Sequence, residues 1–179
     1  MPKPTPEELY SWELNILPIA SAILKDGGVP VFSPFIPAGA GPAELQLLRE
    51  KHAIVTFEPA PIDPNAKAFA TGVTGAEDGV DSIEVGWGGD LVVEHSVPVD
   101  DKPPAPGEIP GCYWESLRLA GRIRALILSP HNPFAQRLPW YDILSIRYVQ
   151  PQRGVDAPRS ANQATERFRF TFMPARGTL

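Results

Sequence analysis

The spacing of apolar residues near the start of the chain predicts a helix. Apolar side chains recur at roughly helical spacing across Leu9–Ile23, which is typical of an amphipathic helix. Thr5 stands at the expected N-cap position, and Glu8 three residues later completes a capping box. Pro18 lies inside the run, and because proline lacks an amide proton we expect a kink or the start of a second helix there. Asp26–Gly28 is expected to end the helix.

Cys112–Leu128 has the clearest helical periodicity in the chain, so a second long helix is predicted there. Glu115, Arg118 and Arg122 fall on the side of this helix opposite the apolar stripe. A shorter helix is predicted over 42–51. The residues predicted to form the buried stripe of the long helix are Tyr113, Leu117, Ala120, Ile123 and Ile127.

Alternating or continuous apolar runs predict strands in the rest of the chain. Leu91–Val99 alternates clearly, with His95 on its apolar face, and Gly88–Asp90 before it is predicted to be a turn. Trp140–Val149 is apolar on both faces, which favours a central strand. The predicted strands are Ala53–Glu58, Ser82–Trp87, Leu91–Val99, Trp140–Val149 and Thr165–Met173.

The final strand has the most regular pattern of apolar and polar positions. Three phenylalanines alternate with polar residues, so the two sets must lie on opposite faces. We expect the first set to point inward and the second outward. The inward set is Phe168, Phe170 and Phe172, and the outward set is Arg167, Arg169 and Thr171.

This order of elements predicts a single α+β domain over residues 1–179. Its mostly antiparallel sheet has two main helices packed against it. The chain contains 22 prolines against 5 lysines, and the prolines crowd between the periodic segments. They predict long, stiffened loops around a modest core. Extended loops are expected at 59–81, 100–111 and 150–164.

Charge is divided unevenly along the chain. Residues 1–110 hold 6 Lys and Arg against 17 Asp and Glu, whereas residues 111–179 hold 10 Arg, no Lys and 4 Asp and Glu. The two parts therefore carry net charges of −11 and +6. Opposite potentials on two surfaces of one subunit would orient head-to-tail association with copies of itself.

No pattern in the sequence indicates a catalytic, cofactor or metal site. The single cysteine excludes an internal disulfide and any zinc site built from several cysteines, and the three histidines are too few and too scattered to indicate a metal site. Cys112 begins a helix, and a nucleophile at this position would need a histidine base close to it in space. An ordinary helix-end residue is the favoured interpretation, since nothing else in the sequence marks an active site. His95 is expected to be a hydrogen-bonded core or interface residue. Glu94 points to the other face, so the two form no catalytic pair.

The arginines of the second part admit three interpretations: a solvated basic surface, phosphate contacts with nucleic acid, or pairing with the acidic part of another subunit. The negative net charge and the scarcity of lysine favour pairing between subunits over nucleic-acid binding. No basic-then-apolar leader and no run of membrane-spanning length is present, so we expect no membrane contact. The candidate contact residues are Arg118, Arg122, Arg153, Arg159, Arg167 and Arg169.

The order of segments resembles the tail-terminator proteins of long-tailed bacteriophages and, more loosely, the neck and tail-completion proteins. The resemblance spans about residues 10–173 and is carried by AIVTFEP, LVVEHSVPV, YWESLRLAGRIRALI, LPWYDILSIRYVQ and ERFRFTFMP. It implies a small α+β subunit that forms a hexameric ring, caps the tail tube and joins it to the head. The family has no short signature, so it assigns no role to individual residues. The proline-rich segments 59–81 and 100–111 depart from the family pattern.

The resemblance implies a virion protein, assembled in the bacterial cytoplasm, without enzymatic activity or cofactor. Its partners would be copies of itself, the tail tube and head-completion proteins, with passive contact to DNA in the lumen. Two alternatives remain open at this point. One is a small enzyme that uses Cys112 or His95, and the other is an adaptor ring of a non-viral secretion or injection system.

Overall fold

The computed structural model describes residues 5–32, 41, 53–59, 87–98, 105–156 and 161–175. The described strands form one antiparallel sheet in the order β1-β2-β4-β3, so the predicted α+β class is confirmed. The helix predicted over 42–51, the strand over 82–86 and most of the loops over 59–81 and 100–111 lie outside the described residues. The elements are α1 Pro6–Tyr10, α2 Trp12–Asp26, β1 Ile54–Pro59, β2 Trp87–Pro98, α3 Gly111–Ile127, β3 Tyr141–Asp156 and β4 Ala161–Pro174.

The first helical segment begins as its sequence predicts. The Glu8 amide donates to Thr5 Oγ1 at 3.2 Å, and the Thr5 amide donates to Glu8 Oε2 at 2.8 Å, which completes the capping box. The interruption falls at Ser11, whose ψ of 67° is not helical. α2 then continues through Pro18, so the second helix does not begin at Pro18. The proline is tolerated because it lies on an exposed side of α2, where water can satisfy the carbonyl group it leaves unpaired.

The turn predicted at Gly88–Asp90 is wrong, because these residues lie inside β2. Gly89 pairs with Pro59 on one side and Phe170 on the other. A Cβ atom at Gly89 would overlap the ring of Phe57 and would stand 3.1 Å from the carbonyl oxygen of Glu58. The glycine therefore marks a close approach between strands rather than a chain reversal.

Replacing Gly89 with alanine should lower the free energy of unfolding by about 1–3 kcal/mol, because the buried Phe57 ring must move to admit the methyl group. Chemical denaturation would measure the change. Gly121→Ala is the matched control: nothing lies within 4 Å of its Cβ position on α3, and alanine there should stabilise by about 0.5–1 kcal/mol. Equal effects at both positions would contradict the close-packing argument.

The last two strands form a long hairpin, and two predictions about them are wrong. β3 lies at an edge of the described sheet rather than in its centre. Most of segment 150–164, predicted to be a loop, is strand: β3 continues to Asp156 and β4 begins at Ala161, and residues 157–160 lie outside the described residues. A register shift between Val149 and Gln152 interrupts the alternation of side chains in β3, which is why the sequence pattern ended early.

The core lies between the helices and one face of the sheet. Phe168, Phe170 and Phe172 are fully buried, as their alternation predicted. Phe170 packs edge-on against Phe134 with ring centroids 4.9 Å apart, and Phe172 packs edge-on against Tyr141 at 5.5 Å. The other buried members of this core include Ile16, Leu24, Leu91, Val93, Ile123 and Ile127.

The buried stripe of α3 differs from the predicted one in its first half. Tyr113 is exposed and Leu117 is only partly buried, whereas Cys112 and Ser116 are buried. The rest of the stripe, with Ala120, Ile123 and Ile127, is buried as predicted. Small side chains at the start of the helix allow its backbone to approach its neighbours, and the larger Tyr113 is turned outward.

Candidate functional site

The sheet face opposite the core carries a row of charged residues across all four described strands. We call this face the outer face. Glu58 pairs with Asp90, Asp90 with Arg169, and Arg169 with Arg147 in the strand register. In the spatial order β1-β2-β4-β3, the row therefore consists of two acidic residues followed by two basic residues. Cross-strand neighbours of this kind are close enough for direct side-chain interaction.

Asp90 is the centre of an ion-pair network on the outer face. Its side chain is only 5% exposed, and Arg169 binds both of its oxygens, with Nη2–Oδ2 at 2.9 Å and Nε–Oδ1 at 2.5 Å. Arg167 Nη1 bridges Asp90 Oδ2 at 3.0 Å and Glu58 Oε2 at 2.7 Å. The hydrogen bond from Arg169 is the main cause that lowers the pKa of Asp90 below its ordinary value. The same contacts raise the pKa of both guanidinium groups.

This lowered pKa predicts acid sensitivity. Because the pKa of Asp90 in the folded chain lies below its ordinary value of 3.8, its contribution to stability is present above that pH. It is lost as the pH falls through the folded-state pKa. We expect Asp90→Asn to be less stable than the parent at pH 7 and the difference to shrink below about pH 4. Thermal unfolding between pH 7 and pH 2.5 would measure this, with Asp142→Asn, exposed on β3, as the control. A difference that stays constant with pH would contradict the prediction.

The six candidate arginines fall into three groups. Arg167 and Arg169 pair with acids of residues 1–110, but those acids belong to the same chain. Arg118 and Arg122 are exposed on α3, and neither forms an ion pair with another described residue. The backbone of Arg153 lies on β3, but its side chain is not among those that the structure describes. Arg159 lies outside the described residues altogether. Part of the charge division is therefore neutralised within one chain, and pairing between copies stays a prediction.

Thr171 was predicted to face outward, and it is buried although it lies on the outer face. It stands between Gly88 on β2 and Ser145 on β3 in the strand register. Its own strand pattern could not reveal this, because burial there depends on the neighbouring strands.

A second group of polar residues lies on the core side of the sheet. Glu166 is completely buried on β4. Its carboxylate accepts a hydrogen bond from the Tyr148 hydroxyl and lies 3.4 Å from Arg124 Nε of α3. The Arg124 guanidinium also lies over the Tyr148 ring, 5.3 Å from its centroid. With His95, these residues are called the buried cluster.

His95 is buried, as predicted. Its Nε2 atom lies 3.8 Å from Glu166 Oε1, and neither ring nitrogen makes the expected hydrogen bond with a described residue. Glu94, its sequence neighbour, points to the other face as expected. The acid that approaches His95 comes from β4 instead. Cys112 is buried, and His95 makes no hydrogen bond to it, so the two do not form a nucleophile–base pair in this conformation.

Glu166 is the residue that the sequence analysis missed. It precedes Phe168 by two positions and so shares the inward face of β4. A carboxylate at an inward position of a regular strand indicates a buried partner, since an unpaired buried charge is costly. The partners, however, come from β3 and α3, at sequence positions that the strand itself does not specify.

No protein-family model and no curated protein matches this chain. Among the described residues, no group of three or more His, Cys, Asp or Glu side chains could hold a metal ion. The described helices include none that is long and apolar enough to cross a bilayer.

Proposed function

We propose that this chain is a structural subunit of a bacteriophage virion. It acts as a tail-terminator-like ring component at the neck, where the tail tube meets the head. The observation that supports this most is the pair of exposed arginines on α3 that form no ion pair with a described residue, in a chain whose first 110 residues are strongly acidic. Arg118 and Arg122 form no ion pair within the described part of their own chain, so they are free to meet an acidic surface of another copy.

A contact between different surfaces of identical subunits is heterologous, and it closes into a ring when the rotation between neighbours is an integral fraction of a turn. We propose a hexamer assembled in this way in the bacterial cytoplasm. The ring would bind the tail tube on one side and head-completion proteins on the other. DNA would pass through the lumen with passive contacts only. The protein would work by assembly and would use no cofactor and no catalytic residue.

Native mass spectrometry and negative-stain microscopy of the purified chain test this proposal. We expect a discrete ring, or a monomer that forms rings once tail tubes of a long-tailed phage are added. Assembly should weaken as salt rises, since the Debye length falls to about 8 Å at 0.15 M ionic strength. An antibody against the chain should label the head–tail junction of phage particles that contain it. A chain that stays monomeric alone and with tail tubes, and is absent from particles, would contradict the proposal.

A further inference from the structure

The start of α3 exposes an unusual concentration of apolar side chains. Of the large apolar residues that the described chain leaves exposed, Ile109, Tyr113 and Trp114 fall within six consecutive positions, and Trp114 is 49% exposed. Exposed aromatic groups of this size are characteristic of protein interfaces, because tryptophan and tyrosine supply large contact areas.

The exposed arginines continue this surface along the helix. Trp114, Arg118 and Arg122 are spaced at i, i+4 and i+8, so they follow one side of α3. All three are exposed. We call Ile109, Tyr113, Trp114, Arg118 and Arg122 the α3 patch. Its composition, apolar at one end and cationic at the other, fits a partner surface that is apolar and acidic.

The α1–α2 segment has that composition. Residues 5–24 contain Glu7, Glu8 and Glu13 and no Lys or Arg. Glu7 and Glu8 are exposed on α1, and Leu14 on α2 is 62% exposed. Pro18 is also exposed one turn further along α2. An acidic helix start followed along the chain by an exposed leucine thus complements a tryptophan followed by two arginines.

α3 approaches α2 where α2 ends, since Arg122 Nη1 would lie 3.7 Å from a Cβ atom at Gly28. The exposed Leu14 is near the other end of α2, twelve residues before Asp26 or about 18 Å along the helix. α2 begins beside β4 at Phe172, where the Trp12 and Phe172 rings pack with centroids 5.9 Å apart. α3 meets β4 through Arg124 at Glu166, six positions or about 20 Å further along the strand. A subunit can therefore use one surface toward each of two neighbours.

We infer that the α3 patch binds the α1–α2 segment of a second copy of this chain, and that this contact joins neighbouring subunits of the ring. The inference rests on the proposed function and specifies its interface. Trp114 supplies the apolar anchor beside Leu14, and Arg118 and Arg122 face the acidic start of α1. Because a ring repeats this contact at every subunit boundary, each copy contributes both surfaces.

Variants of the two surfaces test the inference. Native mass spectrometry across a concentration series should show Trp114→Ala weakening subunit association by about tenfold or more. The double variant Arg118→Glu/Arg122→Glu and the single variant Glu7→Arg should each weaken assembly at low salt. Leu128→Ala, another exposed apolar residue just after α3, is the matched control and should assemble like the parent. Circular dichroism would establish that every variant is folded.

Mixing the two charge-reversed proteins provides the decisive measurement. In an alternating ring, the reversed α3 patch of one variant meets the reversed α1 of the other, and the remaining boundaries are unchanged. Assembly should therefore return on mixing, an outcome that a folding defect would not produce. Variants that assemble like the parent, or that fail to assemble after mixing, would overturn this interface while leaving a ring-forming parent intact. A parent that never assembles, even with tail tubes, would overturn both this inference and the proposed function.

Discussion

Replacing Phe170 with alanine is expected to lower the free energy of unfolding by about 3–5 kcal/mol. Phe170 is fully buried on β4 and packs edge-on against Phe134. Truncation removes the transfer free energy of the ring and leaves a cavity between the sheet and the loop after α3. The neighbouring Phe168 and Phe172 are fixed in the same strand, so the surroundings cannot collapse to fill it. Equilibrium denaturation in urea would measure the loss.

Leu144→Ala is the control for this substitution. Leu144 lies on the adjacent strand β3 and is 42% exposed, so its truncation should change stability by no more than about 0.5 kcal/mol. If Phe170→Ala lowered the free energy of unfolding no more than Leu144→Ala does, the prediction that the alternating phenylalanines of β4 form the core would be contradicted. A loss of several kcal/mol is a large share of the total stability of a domain of this kind.

Replacing Glu166 with alanine should also cost about 2–4 kcal/mol, for a different reason. The substitution removes the acceptor of the Tyr148 hydrogen bond and the carboxylate beside Arg124. It also opens a cavity beside His95, whose buried ring has no hydrogen-bond partner among the described residues. The Arg124 side chain is 35% exposed and can regain water, so the main losses are the Tyr148 contact and the packing. Thermal and chemical unfolding at pH 7 would measure the change.

Two further variants separate charge from packing at this position. Glu166→Gln keeps the shape and an acceptor for Tyr148, so it should cost less than Glu166→Ala. Glu94→Ala removes a carboxylate from the other face of β2, where the side chain is partly exposed, and should change stability by no more than about 0.5 kcal/mol. If Glu166→Ala and Glu94→Ala were equivalent, the buried cluster would contribute nothing to stability.

Both large effects concern the core side of the sheet, whereas the proposed assembly surfaces lie on the exposed sides of the helices. This separation makes the proposals independent of the core predictions. A Phe170 or Glu166 variant should reduce assembly only as far as it reduces the folded population. A Trp114 variant should reduce assembly while the unfolding midpoint stays close to that of the parent, since its side chain is half-exposed.

The arginine pairs on the outer face change how the charge division is understood. The sequence predicted that Arg167 and Arg169 meet acids of another copy, and in the structure they meet Asp90 and Glu58 of their own chain. Exposed ion pairs contribute little individually, but the nearly buried Asp90 fixes both guanidinium groups. Among the candidates whose side chains the structure describes, Arg118 and Arg122 are consequently the two that are exposed and form no ion pair with a described residue.

Local patterns in the sequence were sufficient for several elements. The capping box of Thr5 and Glu8, the helix over α3 and the inward phenylalanines of β4 were all predicted correctly. Each depends on residues that are at most a few positions apart, so periodicity and capping chemistry specify it without reference to the rest of the chain. The α+β class followed because these elements must bury their apolar faces against one another.

Other features were decided only by the tertiary structure, because the residues that determine them are far apart in the sequence. Gly89 was predicted to be in a turn, but it lies inside β2, where the Phe57 ring on the neighbouring strand occupies the space that a side chain would need. Asp90 finds its arginines 77 and 79 positions away. Glu166 lies among groups from β3 and α3. The sequence by itself therefore determined which local elements form and which faces are apolar, whereas strand order, close approaches and charge partners arose only when those elements packed together.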